Sequence, residues 1–321
     1  MKALITGGAG FIGSHLMEYL MDQQWKVIVL DDFSTGRWKN LEYRSAFVNI
    51  VDGSVTDSNL VLDLVDQVDY VFHLAAVVGV KKAFEDPVNT LHVNIEGTNN
   101  VLRACASEGK RVLIASSSEA YGYGGEDLKE VDDCNIGSPM RSLRWAYGAS
   151  KLVDEFIALS LHKQFRLPVT VVRPFNVVGP RQVGEYGMVL PRFIDWALKG
   201  EPIQVYGDGF QTRTFAYVGE VVAAFYDLMG TPESIGQVVN VAGNREISML
   251  DLARKVKKIT GSQSRIEFVS YEEIYGKKFD DSMKRVADTE LLRSLIGWTP
   301  NMSLEEIIMK TIKWWEERRL S

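Results

Sequence analysis

Short apolar runs alternate with segments of helical periodicity through the first half of the chain. Runs at residues 3–6, 27–30, 46–50, 70–74, 112–115 and 169–173 predict strands. Apolar positions at helical spacing predict helices at 11–22, 58–65, 88–108 and 147–164. Strands that are apolar on both faces and separated by helices imply a parallel sheet covered on both sides. The expected class is therefore α/β, a doubly wound parallel sheet. After Asn176 the rhythm breaks. Glycine and proline become frequent, at Gly179, Pro180, Gly184, Gly187, Pro191, Gly200, Pro202, Gly207 and Gly209. Short strands and helices then alternate up to a last helix at 304–319. This pattern predicts a first domain at 1–176 and a smaller α/β lobe at 177–321. A later piece near 236–260, with a strand at 238–241 and a helix from about Ser248, rejoins the first domain.

The first strand runs straight into Thr6-Gly7-Gly8-Ala9-Gly10-Phe11-Ile12-Gly13 and then into a helix. Free amides at that helix start, with the dipole behind them, suit a pyrophosphate. Gly7 allows the tight turn. Gly10 lets the backbone approach phosphates, and Gly13 lets the helix pack close to the sheet. The second strand ends in Asp31, roughly 20 residues past the turn, where a carboxylate accepts both hydroxyls of an adenosine ribose. It also repels a 2′-phosphate, so NAD is expected over NADP, although Arg37 and Lys39 stand close by. The doubly wound sheet is thus read as Rossmann-type.

Composition changes this picture little. The 321 residues suit one large or two unequal domains, and 46% hydrophobic with 24% charged residues is ordinary for a globular enzyme. A net charge of −6 argues against a nucleic-acid partner. It leaves room for an anionic ligand held by a few arginines in a cleft. Cys105 and Cys134 form neither a disulfide framework nor a metal site and fit the reducing cytoplasm. No apolar run reaches the ~18–20 residues of a membrane span.

Tyr147-Gly148-Ala149-Ser150-Lys151 puts a phenol and an amine one helical turn apart on one face. An ammonium beside the phenol, together with a cationic nicotinamide, favours the phenolate. Tyr147 can then take a proton from a sugar hydroxyl while hydride leaves the same carbon. The segment 115–122, with Ser116, Ser117, Ser118 and Glu119, follows the strand at 112–115. Its hydroxyls lie at a strand carboxyl end, where ligands bind such sheets.

The motif at 6–13, His73-Leu74-Ala75-Ala76, the serine segment, the Tyr147–Lys151 pair and Arg173-Pro174-Phe175-Asn176 together resemble the extended short-chain dehydrogenase/reductase family. Val205-Tyr206-Gly207-Asp208-Gly209 with Gln211-Thr212-Arg213 resembles its nucleotide-sugar branch. The resemblance covers almost the whole chain. It implies transient NAD-dependent oxidation at C4 of a nucleotide-linked hexose, usually linked to UDP. It places Ser117 in the catalytic Ser/Thr position, with Tyr147 as base and Lys151 as its partner. Beyond the three motif glycines and Asp31, it implies cofactor contacts from Phe11, Ile12, Asp32, Ser34, Gly36, Ser54, Val55, Leu74, Ala75, Ala76, Asn94 and Pro174. Tyr147 and Lys151 join that set, and no metal is implied. Asn176 and Arg213 would meet the diphosphate or the sugar. Val205, Tyr206 and Asp281 would line the nucleotide pocket, with Val189 also on the substrate side. The family often forms a homodimer through the helices read at 88–108 and 147–164.

Three reactions of that branch share a 4-ketone. In 4,6-dehydratases the position of Ser118 looks like an Asp that protonates the leaving hydroxyl, so plain dehydration is disfavoured here. Ser118-Glu119-Ala120-Tyr121-Gly122 resembles UDP-glucuronate decarboxylases, and simple 4-epimerases usually lack the Glu. Arg144-Trp145-Ala146-Tyr147 and the loop 275–285 resemble UDP-apiose/xylose synthases and decarboxylases. The segment 73–87 resembles 4-epimerases instead. Lys81, Lys82, Arg181 and Arg192 are candidates to hold a substrate carboxylate. Decarboxylation of UDP-glucuronate leads. Next stands 4-epimerisation of a UDP-hexose or UDP-uronic acid. A dehydratase and a catalytically idle NAD-binding sensor follow. Glu119 is read either as an acid–base group or as a structural carboxylate, and His73 as a core residue near the cofactor.

Overall fold

A computed structural model describes residues 1–42, 46–185, 187–276 and 282–319. The first half runs β1 (Lys2–Thr6), α1 (Phe11–Asp22), β2 (Lys26–Asp31), β3 (Val48–Asp52), α2 (Ser58–Asp66), β4 (Tyr70–His73), α3 (Val80–Glu85) and α4 (Pro87–Glu108). It continues with β5 (Arg111–Ala115), a 3-10 turn at Ser118–Tyr121, β6 (Gly125–Leu128), α5 (Trp145–Phe165) and β7 (Val169–Pro174). The second half holds β8 (Val177–Val178), α6 (Val189–Lys199), β9 (Ile203–Tyr206), β10 (Thr212–Thr214), β11 (Ala216–Tyr217), α7 (Val218–Gly230) and β12 (Val238–Val241). It closes with β13 (Glu246–Ser248), α8 (Met249–Thr260), β14 (Ile266–Val269), α9 (Tyr271–Tyr275), β15 (Lys284–Ala287), α10 (Glu290–Ile296) and α11 (Leu304–Arg319).

Seven parallel strands form one sheet in the order β12-β7-β5-β4-β1-β2-β3. Beyond β1 the chain builds outward on one side through β2 and β3. It then returns to build the other side through β4 and β5. The strand order reverses between β1 and β4, and a crevice opens there at the carboxyl ends, where sheets of this kind bind ligands. One face is covered by α1 and α7, whose Leu16, Met17, Leu20, Val221 and Phe225 are buried on Ile5, Val29 and Phe72. On the other face, Val61 and Leu64 of α2 and Val101 and Leu102 of α4 pack on Leu4, Ile28 and Val71.

Local chemistry sets the helix ends. Asp57 accepts from the amides of Asn59 and Leu60 and starts α2. Asp86 caps α4, Pro87 occupies its first position, and Gly109 ends it in the left-handed region at φ 62°. Strand β3 lies two residues beyond the expected 46–50. It is a half-exposed edge strand, so its apolar content does not mark its ends.

A smaller four-stranded sheet, β13-β10-β15-β6, stands over the crevice. Its strand β6 comes from the first half of the chain, and β10 and β15 come from the second. A third apolar cluster, with Leu190, Phe193, Ile203, Val205, Leu252 and Ile308, joins α6, β9, α8 and α11. No helix among the described residues is long and apolar enough to cross a membrane.

His73 ends β4 fully inside this framework. Its Nδ1 lies 2.7 Å from Thr6 Oγ1 and its Nε2 lies 3.0 Å from Thr98 Oγ1. Burial, with the charge of Lys151, pushes its pKa from 6.5 down to about 3. Below pH 6.5 the unfolded chain therefore takes up a proton that the folded chain refuses. This contribution to stability is complete above the unfolded pKa. It is lost as pH falls towards the folded one, at up to about 1.4 kcal/mol per pH unit. Chemical denaturation should show a shallower acid decline for His73→Gln, whose side chain cannot titrate. Equal slopes in the two proteins would contradict the buried neutral imidazole.

Candidate active site

A cleft of about 660 Å³ runs from the β1–α1 turn, past the ends of β4, β5 and β7, to the smaller sheet. At its first end the glycines leave no room for a side chain. A Cβ on Gly7, whose φ is 71°, would lie 2.7 Å from the Ala75 amide nitrogen. A Cβ on Gly13 would lie 2.2 Å from Gly7 O and 2.8 Å from Gly8 Cα. Gly13 therefore lets the helix close onto the turn itself, rather than onto the sheet. The N-cap Gly10 offers no side-chain acceptor, and the first turn carries no acid, so the helix start suits an anion. Phe11 and Ile12 also line the cleft.

Asp31 is fixed at the end of β2. Its Oδ2 accepts from the Ala9 amide and its Oδ1 from the Phe33 amide, each at 2.9 Å. Burial pushes its carboxyl above the ordinary value, and the two amides pull it back. Gly36 lies against this carboxylate, since a Cβ there would meet Asp31 Oδ1 at 2.5 Å. Asp32, Ser34, Val55, Leu74, Ala75, Ala76 and Pro174 line the cleft. Ser54 does not; its hydroxyl bonds Thr56 Oγ1 at 2.9 Å. Asn94 is buried behind the wall, accepting from the Val77 amide at 2.8 Å and donating to Ser150 Oγ at 3.0 Å. These turn, helix-start and ribose-side features fit a dinucleotide.

In the middle of the cleft the ends of β5 and α5 bring together Ser117, Glu119, Tyr147 and Lys151. Burial pushes the Tyr147 phenol well above its ordinary pKa. The Ser117 hydroxyl opposes this, and the carboxylates of Glu119 and Asp154 add to it. Lys151 is itself buried and pairs with Asp154, Nζ to Oδ2 at 3.3 Å.

Glu119 lies between two arginines. Arg144 Nη2 donates to its Oε2 at 3.0 Å and Arg285 Nη1 to its Oε1 at 2.5 Å. Burial alone would raise the Glu119 carboxyl. Arg285, Arg144 and Arg213 overcome that and hold it below the ordinary carboxylate range. A carboxylate held ionised in this way has no proton to give at neutral pH. This argues against Glu119 as a proton donor and makes it the anchor of two arginines.

The far end belongs to the second lobe. Asn176, Arg181, Val189, Arg192, Tyr206 and Arg213 all line the cleft. Arg192 donates to Tyr206 Oη at 2.5 Å, with its guanidinium 4.7 Å from the centre of that ring. Arg181 is buried and paired with Glu18. Asn176 donates to Thr214 O at 2.9 Å. Val205 is a correction: β9 turns its side chain into the core with Leu190 and Ile203, not towards the cleft. The period-2 alternation of a strand decides this, since Tyr206 takes the cleft-facing side. The side chain of Lys81, and the whole of Asp281, lie outside the described residues.

Sequence reasoning did not single out Arg285, Gln211, Tyr271 or Asp154 as site residues. Arg285 ends the loop 275–285, whose likeness was noted, but no periodicity marks it. Asp154 carried a signal: it lies seven residues past Tyr147, on the same helical face.

The family model for the NAD dependent epimerase/dehydratase family matches residues 3–242. The chain belongs to that family. It is 39% identical over 317 residues to the UDP-N-acetyl-alpha-D-glucosaminuronate decarboxylase of Bacillus cytotoxicus, covering 98% of each chain. It is 35% identical to UDP-glucuronic acid decarboxylase 1 of Xenopus tropicalis, covering 98% of this chain and 72% of that one. Among solved structures it resembles the UDP-glucuronic acid 4-epimerase of Bacillus cereus, with 27% identity and a TM-score of 0.89. That match covers 99% of this chain and all of the other. The protein is an enzyme of an NAD-dependent family, with the seven-stranded sheet and smaller lobe of its relatives.

The glycine turn yields a direct test. Gly13→Ala forces a methyl into the Gly7 carbonyl, a backbone atom with nowhere to go. Overpacking of this kind costs about 1–3 kcal/mol. NAD⁺ affinity measured by calorimetry should fall about tenfold or more. Unchanged affinity would contradict the close-approach reading.

Proposed function

We propose that this protein decarboxylates a UDP-linked uronic acid, with UDP-glucuronate the first substrate to test. The observation that carries the reading is the Arg144–Glu119–Arg285 cluster beside Tyr147. Arg285, Arg144 and Arg213 gather guanidinium groups around one carboxylate in the cleft wall. A wall of such donors suits a substrate with an anionic group beyond its diphosphate. The decarboxylase names of the relatives at 39% and 35% identity support the same choice.

The cofactor's place follows from the first end of the cleft. Gly7, Gly10, Gly13 and the start of α1 would hold the pyrophosphate, Asp31 the adenosine ribose, and Lys151 the nicotinamide ribose. NAD⁺ held there would supply a hydride acceptor for C4, a hydride donor for the later ketone once reduced, and a positive ring charge. Ser117 orients the C4 hydroxyl, and Tyr147 takes its proton. The resulting 4-ketone makes the uronate a β-keto acid. Carbon dioxide then leaves C5, the bonding electrons remain as an enolate, and the enolate takes a proton from water at C5 to give the ketone that is reduced. Arg144 and Arg285 hold the carboxylate until it departs, and Glu119 keeps the two guanidinium groups apart and in place. This division gives the sheet domain the cofactor and the second lobe the nucleotide. Exposed Val88 on α4 and Phe156 on α5 support pairing of two copies through those helices.

A second reading is 4-epimerisation of the same UDP-uronic acid, which the likeness to the Bacillus cereus epimerase favours. Both readings keep the arginines on the carboxylate, and only decarboxylation releases it. Purified protein incubated with UDP-glucuronate and examined by mass spectrometry should show loss of the mass of carbon dioxide. Unchanged mass with altered retention would establish epimerisation. Tyr147→Phe should lower kcat by about 10²–10⁴-fold, the usual worth of a positioned base. Turnover at the wild-type rate would remove that assignment. Arg144→Gln should raise KM for UDP-glucuronate about tenfold or more, as loss of a charge-assisted contact does. Binding of UDP-glucose, which lacks the carboxylate, should change less. Equal losses for both sugars would show that Arg144 does not read the carboxylate.

A further inference from the structure

Tyr147, Lys151 and Asp154 stand at spacings of four and three along α5, so all three share one helical face. The base and its lysine belong to the motif, and the third residue does not. Yet Asp154 is 1% exposed and makes the ion pair with Lys151, whose own side chain is 3% exposed. Neither charge is solvated, so each depends on the other for compensation.

The pair sits at the end of a chain of buried polar groups. The Ala75 amide donates to Thr6 Oγ1 at 3.3 Å. Thr6 Oγ1 meets His73 Nδ1, and His73 Nε2 meets Thr98 Oγ1. Asp154 Oδ1 makes no hydrogen bond, and the nearby Thr98 hydroxyl favours the ionised form of the carboxylate. Thr6 Oγ1, accepting from the amide, keeps a second lone pair, so either tautomer of His73 fits the run. Burial keeps His73 neutral within it.

We propose that Asp154 is a positioning residue of the catalytic centre: its carboxylate anchors the Lys151 ammonium and sets the pH at which the Tyr147 phenol ionises. This rests on the reading of Tyr147 as the base. The charged and titratable groups facing the centre are few. Glu119 comes from the 3-10 turn, Lys151, Asp154 and Glu155 from α5, and His73 from β4. Glu155 is taken up by Arg173 of β7 at 2.6 Å, and Glu119 by its arginines. Helix α4 contributes the uncharged Thr98 and Asn94. Asp154 is thus the carboxylate that balances Lys151, and its own charge opposes a phenolate nearby. Burial pushes its carboxyl up to about 6, against the pull of Lys151.

Ultraviolet titration of tyrosinate in the NAD⁺-loaded protein tests this without any sugar. Subtracting the titration of Tyr147→Phe isolates the one phenol. The same subtraction for Asp154→Asn uses the double variant. Removal of the carboxylate charge should lower the midpoint by about one pH unit or more. Asp154→Ser, which removes the same charge with a smaller side chain, should move it the same way and serves if Asp154→Asn fails to fold. Midpoints equal to the wild type in folded variants would overturn the proposal. So would the absence of any Tyr147-dependent titration in the wild type. Failure of the decarboxylase reading would appear elsewhere, as UDP-glucuronate left untouched by wild-type protein.

Discussion

The Glu119 carboxylate joins parts of the chain that are far apart in sequence. It sits just past β5 of the large sheet. It binds Arg144 at the start of α5 and Arg285 on β15 of the smaller sheet. Each of these groups is costly to bury alone, and the cost falls only when opposite charges meet with good hydrogen bonds. The cluster therefore fixes the position of the second sheet over the first. It fixes the cleft's charge at the same time. Without the carboxylate, Arg144, Arg213 and Arg285 would face one another across a site that has to close around a substrate.

The other buried charges nearby come in balanced sets. Lys151 is matched by Asp154, Arg173 by Glu155 and Arg181 by Glu18. Around Glu119, Arg285, Arg144 and Arg213 converge on one carboxylate in the cleft wall. Tyr147 is buried, and Glu119 and Asp154 both oppose its ionisation, so the free protein keeps a neutral phenol. On the proposed reading, positive charge brought by the cofactor would shift that balance.

Much of the large sheet could be read from sequence because its strands are apolar on both faces and its helices are amphipathic. The turn at 6–13 and the pair Tyr147–Lys151 could be read because their spacing is local. The second sheet could not. Strands β6, β10, β13 and β15 have three or four residues each and come from distant parts of the chain. Nothing periodic announces their pairing. Arg285 reaches the site through that pairing, so its role was invisible for the same reason. Val205 was misplaced because a motif gives the neighbourhood of a strand without saying which face each residue takes. Glu119 was visible as a residue but not as a state. Its ionisation depends on arginines 25 and 166 positions away.

The acidic balance of the whole chain and the basic wall of its cleft do not conflict. Exposed charges are screened over about 8 Å at physiological ionic strength, whereas a buried cluster keeps its field. What the cluster offers an anion is a set of donors already oriented and already desolvated. A uronate leaves water to reach it and regains hydrogen bonds of comparable strength. A neutral hexose would place a hydroxymethyl group there and gain no charge-assisted hydrogen bond. That difference separates uronates from hexoses more sharply than it separates one reaction on a uronate from another. In the reaction proposed above, a 4-ketone formed beside these arginines would place a carbonyl β to the carboxylate, and loss of carbon dioxide would follow from the substrate's own electronic structure. What the protein would add is a hold on the carboxylate that ends when the group loses its charge.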